Sequence, residues 1–510
     1  MMPRRRRQLD GTPALALPPG PVTNGEYVPA SHRRRDEVIE KLIQDDVDAG
    51  ARRAGMDRRR FLESAGAVAA CLMVYDLVGC TNARHQASGP TSTTGPGGRL
   101  TTPDTADVAA CEHALGGAGE FIFDVHTHHV VPTGPWRKNA PETVNLVLGM
   151  VPSDCRSTDR LQCVDRSAYL HDLFLASDTT VALLSDVPNS GPDNAPIPFA
   201  DAVGTQQFAA SLIHGGAPRI LVHNIIAPNV GDFQARLAGM TAAAATGHVA
   251  GFKVYTAWNP AGPGFSLLDP AVGLPTIQHA HDLGVKVFTA HKGLPLVNFD
   301  PAHNGPDDIV AASRLFPDMS FVVYHAAWDP HHREGPYNPT ATVGIDTLLA
   351  ALDRHAVPPN DNVWVDLGTL WRQLLTDPSQ AAHAIGKLLK RVGPQRILWG
   401  TDAIWYGSPQ AQIMAFRAFS ITPEFQATYG YPALTDDIKR DIFGRNGARL
   451  FNLDPEATRC ALQSDPLNAA TPAAADLRRH GALPAASAPN GPTTRRDMLR
   501  WIATQRWLPS

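Results

Sequence analysis

A parallel (β/α)8 TIM barrel is the α/β fold class that three features of the sequence predict. Short apolar runs rich in Val, Ile and Phe recur between residues 119 and 454, separated by longer stretches of helical character. These runs are continuously apolar rather than alternating, as expected of strands covered on both faces. Histidines and an aspartate stand at the ends of several runs, where a barrel gathers its functional groups.

Residues 1–80 read as an N-terminal region carrying an export signal. A basic stretch leads into residues 36–53, whose alternating charged and apolar side chains suit a short amphipathic helix. Asp57, Arg58, Arg59, Arg60, Phe61 and Leu62 follow, and then an apolar run over 65–74. Paired arginines ahead of a short, mildly hydrophobic segment match a twin-arginine signal, which a receptor reads. The twin-arginine export machinery is thus an expected partner, with a periplasmic or envelope-associated location in a bacterium. Leu77, Val78, Gly79 and Cys80 resemble a lipobox and make Cys80 a candidate lipid anchor, although Tyr75 and Asp76 are unusual before one. Residues 81–118 are expected to be a flexible linker, because the Gly, Pro, Ser and Thr of 88–105 offer little surface to bury.

The eight strands are placed at 121–125, 180–186, 219–226, 249–256, 285–290, 320–325, 362–367 and 396–400, with the last barrel helix near 436–451. Together with the intervening helices they make residues 119–454 one barrel. Beyond 454 the composition turns to Ala and Pro, so 455–510 reads as a tail. Its end, 494–508, suits an amphipathic helix docked on the barrel or on a second subunit, which makes a homo-oligomer a candidate assembly.

Composition narrows the function classes. The 510 residues hold 45 Lys+Arg against 49 Asp+Glu, a net charge of −4. A nucleic-acid binder acting through bulk charge is excluded. No apolar run reaches the roughly 18 residues a spanning helix needs. Of 6 cysteines, none forms a C-x-x-C pair of the structural-zinc kind. Cys155 and Cys163 are either a disulfide suited to an oxidising compartment or two buried thiols. Phosphate-binding glycine loops and the G-x-S-x-G nucleophile elbow are missing as well.

The chemistry lies at the strand ends. In Phe121-Ile122-Phe123-Asp124-Val125-His126-Thr127-His128 the period of a strand sends both imidazoles to one face, a natural chelate for a divalent metal. The fourth strand carries Lys253, the fifth ends at His291, the sixth at His325, and the eighth runs through Trp399 and Gly400 to Asp402. Asp366 on the seventh is a candidate acceptor for the outer N–H of a ligand histidine, and a helix cap or salt bridge is the alternative use. Trp258, Trp328 and Trp405 directly follow ligand-bearing strands and are candidates for an aromatic substrate wall, and packing between loops is the alternative use.

This pattern resembles the amidohydrolase superfamily, within it the amidohydrolase-2 group of metal-dependent hydrolases and decarboxylases, over about residues 119–453. The closing segment Ile442-Phe443-Gly444-Arg445-Asn446-Gly447-Ala448-Arg449-Leu450-Phe451 looks like the family's last helix. The resemblance implies His126, His128, His291 and Asp402 as metal ligands, His325 as a catalytic histidine, and Lys253 as a further ligand if it is carboxylated. One Zn2+ is expected, or two with a carboxylated Lys253, and Mn2+ or Fe2+ suits the same N/O donors. The implied activity is hydrolysis of a C–N or C–O bond in a small organic substrate, with Asp402 and His325 as the catalytic pair. A decarboxylase of an aromatic or unsaturated acid is the alternative, and it needs a cation such as Lys253, Arg137 or Arg372 near the substrate carboxylate. A non-catalytic ligand-binding lipoprotein is the third reading.

Overall fold

The structure, a computed structural model, describes residues 15–19, 22–23, 34–86, 97–117, 119–151, 155, 157–212, 218–295, 299–462, 465 and 470, without side chains for 80–86. Eight strands form one parallel sheet in sequence order: β2 (Phe123–Thr127), β3 (Val181–Leu184), β4 (Ile220–Ile226), β5 (Val249–Tyr255), β6 (Val287–His291), β7 (Ser320–Tyr324), β8 (Val363–Asp366) and β9 (Ile397–Leu398). The ring closes between β9 and β2, where the Val125 N–H donates to the Trp399 carbonyl at 2.9 Å, the Asp402 N–H donates to the His126 carbonyl at 2.9 Å, and Thr127 bridges Ala403. The barrel expected from the sequence is therefore present.

Alternation sorts the strand side chains into two environments. Phe252, Val254, Phe288, Ala290, Phe321 and Val323 join the large core shared with the outer helices. Their neighbours Lys253, Tyr255, Thr289, His291 and Tyr324 take the opposite face, toward the barrel axis. The final helical stretch spans Asp436–Arg440, Asp441–Arg445 and Asn446–Leu450. There Asn446 Nδ2 donates to the carbonyls of Pro394 and Ile397 at 2.8 and 2.7 Å and ties off the start of β9.

Residues 34–79 and 97–117, which fall in the expected export-signal and linker segments, are built into this body. Helix α1 (Arg34–Arg53) buries Ile39, Ile43 and Val47, one per turn on one face. The paired arginines lie on the short helix α2 (Arg58–Leu62), whose Asp57 cap accepts from the Arg60 N–H. Arg58 is held by Asp48 at 2.5 Å. The apolar run forms α3 (Ala65–Gln86), which packs against α1, α4 (Val108–Leu115) and the barrel helices Pro378–Arg391 and Gln410–Ala418. Ala69, Ala70, Cys71 and Leu72 are fully buried there. No described helix is long and apolar enough to cross a membrane.

Folded structure starts well before residue 118, contrary to the expected linker over 81–118. Strand β1 (Gly98–Leu100) pairs antiparallel with β10 (Phe419–Ile421), and the Leu100 N–H donates to Asp76 on α3 at 2.9 Å. Composition misled here, because the backbone pairs through its own amides where the side chains have little to bury. The tail beyond 454 likewise begins with a helix, Pro455–Leu462, and Asp465 pairs with the buried Arg219 at 2.6 Å. The Cys80 side chain and the helix expected over 494–508 lie outside the described residues. Cys155 and Cys163 form a disulfide.

Candidate metal centre

Three imidazoles are fixed from behind, each through Nδ1. His126 Nδ1 donates to Asp366 Oδ2 at 2.8 Å, His128 Nδ1 to the Ser185 carbonyl at 2.8 Å, and His325 Nδ1 to the Gly368 carbonyl at 2.9 Å. A carbonyl can only accept, so the proton sits on Nδ1 and the Nε2 lone pair is left for a ligand. The rings gather closely: His126 lies 5.1 Å from His128 and 4.8 Å from His325, and His325 lies 4.6 Å from His291, centroid to centroid. Asp402 Oδ1 completes the group, 3.5 Å from His126 Nε2 and 3.4 Å from His128 Nε2.

Asp366 organises this arrangement. It takes the His126 ring N–H on one oxygen and the His325 backbone N–H on the other, the latter at 2.5 Å. It thus accepts from the His126 ring, the contact expected for it from the sequence. Space for it depends on two glycines. A Cβ on Gly368 would stand 2.5 Å from His126 Nδ1, and one on Gly400 would stand 2.4 Å from Asp366 Oδ2. Asp124 plays the same part for the backbone, accepting the N–H groups of His126 and Thr401 at 3.1 Å each.

Burial dominates the electrostatics. His126, His128, His291, His325, Asp402 and Lys253 are each at most 1% exposed. Burial, reinforced by Lys253 and neighbouring imidazoles, pushes His126 and His291 well below the ordinary histidine value, and His128 and His325 down as well. Neutral imidazoles are the form that ligates a metal. Asp366 is pushed up to about 6 and Asp124 to about 7, both by burial.

The donor set fits a divalent ion. Both ring nitrogens of His291 are buried without a hydrogen-bond partner, an arrangement that costs roughly 1–3 kcal/mol unless a ligand uses it. Neutral imidazoles and one carboxylate are borderline donors of the kind Zn2+ and its neighbours take. His126, His128 and Asp402 bring their ligand atoms within 4.8 Å of one another. Lys253 stands on the axis face beside them, its Nζ 4.3 Å from the Tyr324 ring centre and 4.9 Å from that of Tyr255.

Other predicted residues divide. Trp405 stacks on His128, 5.6 Å between centroids and 19° between planes. Trp328 is buried in the core, its carbonyl accepting from the Leu294 N–H. Trp258 is half-buried, and its carbonyl accepts from Asn229. Two of the cations proposed for a substrate carboxylate point elsewhere. Arg137 is paired with Asp159 at the surface, and Arg372 is buried where its charge acts on Cys71 and Tyr75 of α3. Lys253 remains.

Three contributors were not singled out from the sequence. Tyr255 stacks on His291 at 5.1 Å, Tyr324 lies 4.0 Å from the His126 ring, and Thr369 Oγ1 donates to Asp402 Oδ2 at 2.6 Å. Strand alternation could have found the first, two residues beyond Lys253. Thr369 lies past the end of β8, where no periodicity applies.

Comparison with known proteins gives the family. No curated protein matches the chain. Solved structures that resemble it include an uncharacterized TIM-barrel protein from Bordetella bronchiseptica, at 15% identity and a TM-score of 0.41, covering 65% of this chain and 98% of that one. A putative 2-pyrone-4,6-dicarboxylic acid hydrolase from Pseudomonas putida matches at 16% identity and 0.38, covering 65% and 97%. The 5-carboxyvanillate decarboxylase of Novosphingobium aromaticivorans, complexed with manganese, matches at 14% identity and 0.41, covering 69% and 99%. The family model described as Amidohydrolase matches residues 124–453, from the aspartate of β2 to just past the last barrel helix, and the chain therefore belongs to the amidohydrolase family.

Proposed function

We propose that this protein is a metal-dependent hydrolase cleaving a C–N or C–O bond of a small organic substrate. The observation that carries this reading is the convergence of His126, His128, His291, His325 and Asp402 from four strand ends, with Nδ1 of three imidazoles already engaged. His126, His128, His291 and Asp402 would hold one divalent ion, proposed to be Zn2+. Such an ion supplies Lewis acidity, activating water and polarising a carbonyl. Asp402 has one oxygen tied to Thr369, and its other oxygen takes the proton released by the attacking water and delivers it to the leaving atom. His325 is held by Asp366 and Gly368 with its proton on Nδ1, and its Nε2 lone pair accepts from the attacking water and holds it in place. Burial of these groups, each at most 1% exposed, keeps bulk water from them.

A decarboxylase is the second reading, favoured by the buried Lys253 beside the imidazoles and by the aromatic faces of Tyr255 and Trp405 on His291 and His128. A planar carboxylic acid would suit those surroundings. Incubating the purified protein with amides, esters, lactones and aromatic acids in H2(18)O separates the two. Incorporation of label into product supports hydrolysis, and carbon dioxide release without it overturns hydrolysis for decarboxylation. Turnover that survives both His128→Ala and Asp402→Ala would reject the metal centre as its seat.

A further inference from the structure

We infer that Thr369 is a positioning residue of the metal centre, whose hydroxyl aims Asp402 at the imidazole pair; the inference rests on the metal-site reading above. Two observations meet here. Thr369 Oγ1 donates to Asp402 Oδ2 at 2.6 Å inside a site where both residues are fully buried. A charge-assisted bond of this kind is about twice as strong as one between neutral groups. It assigns the two oxygens of Asp402 separate duties. Oδ2 is held by the hydroxyl, and Oδ1 is left 3.4–3.5 Å from the Nε2 atoms of His128 and His126.

The second observation is conformational. Thr369 has φ 58° and ψ −46°, and Asp402, across from it, has φ 63°. A β-branched residue at positive φ is a genuine outlier, at a cost of order 1–3 kcal/mol. The residue before it is a glycine and the helix Leu370–Leu374 starts immediately after it, so a residue without a Cβ would suit the turn better. The strained backbone is what carries the hydroxyl to Asp402: it turns the side chain from the end of β8 across to the end of β9. A threonine serving the turn alone has no reason to be there.

The test uses the full-length chain freed of metal, with Zn2+ as probe, titrated to a stationary reading against a chromophoric chelator. Thr369→Val and Thr369→Ala remove the hydroxyl, and Thr369→Ser keeps it. Far-UV circular dichroism checks that each variant is folded. Loss of an outer-shell partner weakens metal binding by about 10–100-fold, so Val and Ala variants are expected to bind Zn2+ that much more weakly, with Ser within about threefold of wild type on the same scale. Equal affinity in all four proteins overturns the proposal. So does a Ser variant as weak as the Ala variant, because the backbone rather than the hydroxyl would then matter. Should the wild type itself take up no Zn2+, the metal-site reading fails first and this inference falls with it.

Discussion

Leu72 and Leu77 lie on the same helix, five residues apart, and their substitution by Ala asks whether α3 belongs to the folded enzyme or is a detachable leader. Leu72 is 0% exposed, within the core that also holds Ile385, Leu388 and Phe416 of the barrel helices, whereas Leu77 is 57% exposed. Truncating a close-packed leucine costs about 2–5 kcal/mol, the lost transfer energy plus the cavity left behind. At ~2 °C or more per kcal/mol for a chain of this class, Leu72→Ala should lower Tm by roughly 4–10 °C. Leu77→Ala removes surface already in water and should stay within about 0.5 kcal/mol, a shift of roughly 1 °C. The assay is thermal unfolding followed by near-ultraviolet circular dichroism, on protein whose intact mass shows that residues 34–86 are present. If the two variants unfold together at the wild-type temperature, α3 is not part of the cooperative structure and its burial here has been misread.

Three further outcomes are expected. Asp402→Asn should reduce turnover by about 10²–10⁴-fold, the range for loss of a general acid–base group, read as kcat with the substrate that the panel identifies; an unchanged kcat would remove Asp402 from the chemistry. Asp366→Asn should weaken Zn2+ binding about 10–100-fold, because the His126 ring loses its anionic acceptor; chelator competition measures it. His383 is buried among Phe425, Tyr429 and Tyr431, and burial, helped by Lys387 and Arg333, pushes it down to about 4. The unfolded chain therefore binds this proton first on acidification, so stability is complete above the ordinary value of 6.5 and is lost as pH falls from there toward 4, by up to about 3 kcal/mol. Denaturant unfolding across that window should show a shallower fall for His383→Gln, and an identical slope would reject the assignment.

Much of the site could be read from the sequence because strands impose a rule. His126 and His291 lie on strands whose limits were placed within two residues, and period-2 alternation plus the barrel axis leaves few directions for their side chains. Asp366 followed from chemistry, since a metal-ligating imidazole needs an acceptor behind it. Where the strand stops, the rule stops. Thr369 and Asp402 both leave their strands at positive φ, which nothing in the local sequence announces; Asp402 was reached through its place after the eighth strand and Thr369 was not reached. Arg372 shows the same limit in reverse: its position after β8 suggested the barrel mouth, yet its charge acts on Cys71 and Tyr75 of α3. The packing of the N-terminal helices on the barrel was not legible, because arginines, a mildly apolar run and a Gly/Pro-rich stretch have the composition of a leader. Composition does not say that the same apolar face matches the helix Pro378–Arg391.

The near-complete enclosure of the donor ring has a consequence for its metal economy. With each proposed ligand side chain at most 1% exposed, an ion seated there would exchange when the surrounding loops part, so its residence time would follow the opening rate of the protein rather than bond strengths alone. The ion found in a preparation would then be a record of which metal was abundant while the barrel closed, and brief dialysis would leave that record unaltered.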